Sequence, residues 1–460
     1  MAEPARKPYE APQITPLTFT AVSKHLNADI SADTGFDESY EIPELLARFG
    51  SPLFVVSEAA LRGLYRNFRD TFTEPGIETR IAYSYKTNYL PAICAVLHEE
   101  GAWAEVVSGL EYELARSLEM PPEEIIFNGP YKTREELQTA LGQGSLVNID
   151  NYDELEAVTQ VANGLGRPAR VGIRINFSYG PAPWTKFGFN EENGDAHTAL
   201  ERIAGNKNLK FESLHNHCGT FQLVYDIYGR AIEALIRTAK KARELGLEPH
   251  IVDVGGGFPS SNRLKPAFDL PEGHNRKSDT LFPYAEAILG PLSKARELFG
   301  GTPTLILEPG RAIVDSAVQL LCSIVATKEI PDSGKAVVAD GGVNLVPTAY
   351  WYDHKVSHVE TKGENDGKLE MVNVFGPLCM QIDVLRENVM LPPLKTGDPL
   401  VIGNVGAYCQ TQSMQFIQAR PATIMLGPDG PEVIRRQETA ADFFALDQVP
   451  KRLRSNGWKL

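Results

Sequence analysis

Polar residues recur where short apolar runs end, and their types suit chemistry on an amine and an anion. Lys86 follows the run TRIAYSY, Glu105 sits in AWAEVV, Asn128 closes EIIFN and Asp150 closes SLVNID. Arg174 lies in ARVGIRIN, His217 closes LKFESLHNH, Gly255, Gly256 and Gly257 follow HIVDV, and Glu308 to Arg311 (EPGR) follow PTLIL. A lysine at the end of an apolar run can attack a carbonyl group as a nucleophile. Three glycines permit close backbone approach and present N–H groups to an anion, and Gly310 with Arg311 can do the same from the next loop. The run GGG lacks the spacing of a dinucleotide fingerprint. Each feature alone also has a plainer reading: a tight turn for GGG, a solvated lysine for Lys86, a hydrogen-bonded core histidine for His217.

The elements that must position these residues follow from periodicity. The runs at 79–85, 102–107, 124–128, 145–150, 169–176, 209–217, 250–256 and 303–309 read as β-strands. Helical segments lie between them; in 231–245, Ile232, Leu235, Ile236, Ala239 and Ala242 recur at steps of three and four, and Gly246 is a stop. Eight apolar strands alternating with amphipathic helices predict a (β/α)8 barrel over 46–325. The residues above then share one rim, at the strands' C-terminal ends. A doubly wound sheet of six or seven strands is the competing architecture. Beyond 325 the helical rhythm stops. KAVVAD, LEMVNVF, DPLVIGNV and PATIMLG predict a C-terminal mostly-β domain over 326–460, with GENDG (363–367) as a hairpin tip. Residues 1–45, polar and rich in proline, form an N-terminal arm that joins and completes the β domain.

Composition narrows the partners. The 460 residues carry 45 Lys+Arg against 59 Asp+Glu, a formal charge of −14, which excludes nucleic acid or an anionic membrane as the main partner. The chain shows no signal-type leader and no run approaching the ~18 apolar residues of a membrane span. Its five cysteines are an odd number without a CxxC pair, so no metal site or disulfide framework is expected and the location is cytoplasmic.

A phosphate site facing a lysine across a barrel mouth suggests pyridoxal phosphate held as a Schiff base. Such a cofactor needs a carboxylate at its ring nitrogen, and Glu308 is placed for it. The chain resembles the fold-type III pyridoxal-phosphate decarboxylases, the family of diaminopimelate and ornithine decarboxylases. The likeness runs over about 45–445 through YSYKTN, AEVVSGLEYELA, TKFGF, HNHCGT, DVGGGFP, EPGRAIV, DGGVN, FGPLCMQIDVL and GAYCQ, in family order and spacing.

The resemblance implies that Lys86 binds the cofactor covalently, His217 stacks on its ring and Glu308 pairs with the ring nitrogen. Thr220, Gly256, Gly257, Gly310, Arg311 and Tyr408 would hold the phosphate, with Thr220 standing where relatives usually have serine. Cys379 resembles the family's proton donor, and Asp383 matches an acidic position four residues later. It further implies a head-to-tail homodimer with shared sites and a small amino-acid-type substrate, for which Arg174, Gln381 and Asp383 are candidate contacts. Two departures concern the substrate's far end. Val346 stands where diaminopimelate decarboxylases carry arginine, and Met380 stands where relatives carry an acidic residue after the cysteine. The resulting expectation is decarboxylation of an amino acid or conjugate in specialised (siderophore, antibiotic or D-amino-acid) metabolism. Diaminopimelate decarboxylation is the alternative; a pyridoxal-phosphate racemase, a cofactor-binding protein without turnover and a cofactor-free sugar-phosphate barrel are more distant ones.

Overall fold

The computed structural model describes residues 29–30, 40–179, 186–265, 280–331, 334–358 and 368–454. The eight expected barrel strands are Glu78–Ser84, Trp103–Val106, Ile125–Phe127, Leu146–Ile149, Ala169–Asn176, Leu209–His215, Ile251–Asp253 and Thr304–Leu307. Their pairings are parallel, the eighth strand joins the first, and the fourth pairs with the fifth, so the sheet closes. This rules out the open doubly wound sheet. The periodic segment at 231–245 lies in the helix Asp226–Glu244, with Gly246 just beyond at φ +77°.

Side chains alternate across each barrel strand, and the alternation sorts the interior into layers. Ala82, Ile126, Leu146, Ile251 and Ile306 form a buried apolar cluster, with Trp103 partly buried against it. Two residues further along the same strands stand Ser84, Glu105, Asn128, Asn148, Asp253 and Glu308. The apolar layer floors the barrel; the polar layer faces its mouth. Gly172 on the fifth strand makes room for this layer, since a Cβ there would lie 2.1 Å from Asn148 Oδ1.

The second domain is built on the long strand Val318–Ile330. It pairs antiparallel with Leu53–Ser57, Pro399–Ile402 and Gly334–Ala339, and the sheet continues through Glu370–Phe375 to Val384–Leu391. The expected boundaries shift accordingly. Position 325 falls inside one strand, and Leu53–Ser57, assigned above to the barrel, pairs with Val318–Leu321 and Thr423–Leu426 in the β domain. Its continuous apolar run, Leu53 to Val56, suits a strand buried on both faces in either domain, so tertiary pairing decides. From the arm, Asp29–Ile30 pairs in parallel with Val389–Met390. The hairpin expected at 363–367 lies outside the described residues. No helix among the described residues is long and apolar enough to cross a membrane.

Two hydrogen bonds seat the β domain over the barrel mouth. Asn88 Nδ2 donates to the Gly406 carbonyl at 2.9 Å, and the Tyr408 amide donates to the Thr87 carbonyl at 2.8 Å. Asp315, fully buried, accepts from the Ala407 amide and from Asn262 Nδ2. The GAY segment is thereby fixed beside the turn that carries Lys86.

Candidate active site

A cavity of about 620 Å³ opens at the C-terminal face of the barrel, bordered by Lys86, Arg174, His217, Thr220, Glu308, Arg311 and Tyr408. Lys86 sits in the 3-10 turn Tyr85–Thr87, where the first strand ends. Its Nζ donates to Glu105 Oε2 at 2.5 Å, and Ser84 Oγ donates to the same oxygen at 2.6 Å. Burial acts to lower the Lys86 pKa, but the carboxylates of Glu105 and Glu308 outweigh it and hold the ammonium raised.

Glu308 is the centre of a buried network. Asn128 Nδ2 donates to Glu308 Oε1 at 2.5 Å and to Glu105 Oε1 at 3.2 Å, so one amide ties the two carboxylates together. His215 Nε2 lies 3.6 Å from Glu308 Oε2. Burial alone would raise Glu308, but His215 and Lys86 prevail and keep it below the usual carboxylate range. The neighbouring Asp253 goes the other way, pushed well up by burial and then by the Glu308 charge. An ionised, fully enclosed carboxylate facing a cavity suits a cationic ring nitrogen.

His217 Nδ1 accepts the Gly256 N–H at 2.9 Å, so in the neutral ring the proton rides on Nε2. Burial, then the charges of Arg174 and Lys86, drives its pKa well below the ordinary value. A neutral imidazole held by its edge can offer its face to a flat ligand. The same bond corrects the expectation for Gly256: its amide orients His217 and is not directed at an anion.

The other glycines are demanded by close packing. A Cβ on Gly257 would come within 2.2 Å of the Gly219 carbonyl, and one on Gly310 within 1.9 Å of Thr87 Oγ1. Between these loops Arg311 is buried with its guanidinium 4.7 Å from the Tyr352 ring centre and 5.1 Å from that of Tyr408. Its Nε and Nη1, and Thr87 Oγ1, are buried without a hydrogen-bond partner. Asp315 Oδ2 stands 3.7 Å from Nη1, an ion pair too long for a hydrogen bond, so the guanidinium keeps donors for a further anion. The residues present fit a phosphate-bearing cofactor.

The candidate substrate contacts divide. Arg174 borders the cavity, stacked 4.4 Å from the Phe187 ring centre, 3.9 Å from Asp150 and 3.3 Å from the His217 carbonyl. Asp383 does not. It is buried, and it accepts the amides of Val343 at 2.8 Å and Leu378 at 2.7 Å, packed where a Cβ on Gly342 or Gly376 would collide with it. Its role is to shape the loop that carries Cys379, which corrects the assignment to substrate. Cys379 and Gln381 are exposed and do not border the cavity of their own chain. The sequence places Asn128 on the rim without a task and gives none to Asn148, His215 or Asp253. Their signal was the period of two: each points inward one step beyond an apolar floor residue or in register with one.

A barrel that presents a lysine, an ionised glutamate, a neutral histidine and an anion cradle to one cavity defines an enzyme that works through a phosphorylated aldehyde cofactor. A family model for the pyridoxal binding domain of pyridoxal-dependent decarboxylases matches residues 59–315, more than half of the chain. The chain belongs to this family; it is an amino-acid decarboxylase and pyridoxal phosphate is its cofactor. It is 30% identical over 435 residues to the diaminopimelate decarboxylase of Methanocaldococcus jannaschii, covering 91% of this chain and 96% of that one. The crystal structure of the latter superposes with a TM-score of 0.82 over 91% of this chain and 97% of its own. The Aquifex aeolicus diaminopimelate decarboxylase is 28% identical, with 88% and 93% covered. A Helicobacter pylori diaminopimelate decarboxylase solved with L-lysine superposes at a TM-score of 0.75, 25% identical, with 88% and 99% covered.

These likenesses favour diaminopimelate decarboxylation over the specialised metabolism expected from Val346 and Met380. Val346 is wholly buried, Met380 packs partly buried against the core, and neither borders the cavity.

Proposed function

We propose that this chain removes the α-carboxylate of meso-diaminopimelate, acting as a diaminopimelate decarboxylase of lysine formation. The observation that carries this reading is the likeness to diaminopimelate decarboxylases along about nine-tenths of the chain. A second reading, a substrate with a larger or differently charged far end, is favoured by the residue types at Val346 and Met380. Steady-state decarboxylation of meso-diaminopimelate by the purified holoenzyme distinguishes the two.

In this reading each residue has one task. Lys86 holds the cofactor's aldehyde carbon, and Glu105 takes up and returns the lysine's proton. Glu308 meets the ring nitrogen, His217 covers a ring face, and Arg311 with Thr220, Gly257, Gly310 and Tyr408 receives the phosphate. Bound pyridoxal phosphate supplies the electron sink for the pair left behind by departing CO2. Cys379 then delivers a proton to the substrate carbon. Because Cys379 is exposed and does not border its own chain's cavity, the reading requires a partner subunit: a head-to-tail homodimer in which each GPLC loop serves the other's site. Ile382, three residues on and 62% exposed, is the apolar surface such a contact would cover. Five free cysteines support a reducing, cytoplasmic setting.

A further inference from the structure

We infer that Asp253 is a positioning acid for Glu308: a neutral carboxylic acid that, together with the Asn128 amide, donates a hydrogen bond to the Glu308 carboxylate and keeps it aimed into the cavity as an anion. The inference rests on Glu308 meeting the cofactor's ring nitrogen.

Asp253, Glu308 and His215 are 0%, 3% and 2% exposed, and one ligand-type atom of each lies within 4.8 Å of the others. Two bare carboxylates this close in a dry interior repel strongly, so the pair holds a proton. The donors decide where it sits. Glu308 receives the Asn128 amide on Oε1 at 2.5 Å and faces His215 Nε2 with Oε2, and it alone of the pair borders the cavity. Asp253 Oδ1 accepts the Gly255 N–H at 2.9 Å, while Oδ2 meets only Asn148 Nδ2 at 3.5 Å, the outer limit of a hydrogen bond. Oδ2 is therefore the oxygen free to carry the proton and to turn it toward Glu308. The direction of both pKa shifts agrees, up for Asp253 and down for Glu308. His215 belongs to the same cluster: it is the register partner of Asp253 on the neighbouring strand, and its Nε2 stands 3.6 Å from Glu308 Oε2. Asp253 touches no reactant; it acts through Glu308.

Asparagine at 253 keeps a donor and an acceptor in place; alanine keeps neither. Infrared difference spectra of the apoprotein, wild type minus Asp253→Asn at neutral pH, are expected to show one carbonyl band of a protonated carboxylic acid that shifts in D2O. In the holoenzyme, Asp253→Asn is expected to retain kcat within about threefold, whereas Asp253→Ala lowers kcat ~10–100-fold with little change in KM. The inference is overturned if no protonated-carboxyl band is lost in Asp253→Asn. It is equally overturned if a folded Asp253→Asn protein, with an unchanged melting temperature, is as impaired as Asp253→Ala. The infrared measurement involves neither cofactor nor substrate, so it stands or falls separately from the proposed reaction.

Discussion

Lys86 Nζ lies 2.5 Å from Glu105 Oε2, the oxygen that also accepts from Ser84. Glu105 is fully enclosed in the second strand, and this contact holds the long lysine side chain in the cavity. The carboxylate also stands ready to take the proton that an amine must shed before it becomes a nucleophile.

Lys86→Ala is therefore expected to abolish turnover, by ~10³-fold or more, because it removes both the covalent anchor and the proton partner of Glu105. Lys132 cannot substitute. Its Nζ is buried and committed to Glu154 at 2.5 Å and to the carbonyls of Gly129 and Asn148. Borohydride reduction of the holoenzyme followed by peptide mapping checks the assignment, with the label expected on the peptide containing Lys86. A label elsewhere sinks it.

Glu308→Gln should keep the cofactor bound, since Arg311 and the glycine loops remain, while kcat drops ~10²–10³-fold through loss of a preorganised charge. The Asn128 amide would then face either an amide oxygen or an amide nitrogen instead of a carboxylate. Cofactor content and kcat measured on one preparation separate the two effects. A near-normal kcat would remove Glu308 from the chemistry.

The barrel and its rim were legible because eight apolar runs sit at regular spacing and polar residues close them. What stayed hidden depended on three-dimensional pairing. Leu53–Ser57 falls inside the expected barrel bounds until its partners Val318–Leu321 and Thr423–Leu426 are known. Asp383 looks like a substrate carboxylate until the amides of Val343 and Leu378 are seen to consume it. Asp253 and His215 stand near the ends of their strands, where a single polar residue gives no hint that a second carboxylate, Glu308, closes the strand paired with that of Asp253. Val346 and Met380 were weighed as pocket residues although burial takes both away from the cavity.

Glu111, in the AEVVSGLEYELA segment, links the fold to pH. It is 5% exposed, and burial raises its pKa from 4.5 to about 7, with Glu105 adding to the rise against the Val107 amide that its Oε2 accepts at 2.6 Å. Between those values the folded chain binds more protons than the unfolded one, so this group's contribution falls as pH rises through that window and is level above it. Glu111→Gln keeps an acceptor for the Val107 amide and removes the penalty. Its melting temperature should exceed that of wild type by roughly 1–3 °C at pH 8 and by less at pH 5. Equal gains at both pH values would show that Glu111 titrates normally.

Shared sites can be tested by mixing inactive subunits. In a head-to-tail dimer of Lys86→Ala and Cys379→Ala chains, one site carries both defects and the other neither. Random pairing then returns about a quarter of wild-type activity, since half of the dimers are mixed and each has one intact site. The quarter is read on the co-refolded mixture; the heterodimer isolated by differential tags should show about half of wild-type activity. Inactive heterodimers would mean that each chain builds its own site, and that the exposed Cys379 has another role.

Substrate choice turns on whether Val346 and Met380 matter. Arginine and an acidic residue at those positions would offer a charged grip on a distal group, and losing such a grip can cost ~10⁴–10⁵-fold in discrimination. Within one chain neither side chain borders the cavity, while Phe187, Trp351, Leu223 and Leu264 do, and Arg174 is the guanidinium stacked at Phe187. A distal carboxylate can therefore still find a cation from the fifth strand without the missing arginine. Meso-diaminopimelate is expected to give kcat/KM of about 10⁴ M⁻¹s⁻¹ or more, above L-ornithine, which lacks the second carboxylate. Arg174→Leu should narrow that difference by raising KM for diaminopimelate alone. The measurement is CO2 release over a panel of meso-diaminopimelate, L-ornithine, D-amino acids and conjugated diamines. If a conjugate or a D-amino acid exceeds diaminopimelate by tenfold or more, the specialised reading replaces the one proposed, and Val346 with Met380 will have been the informative residues after all.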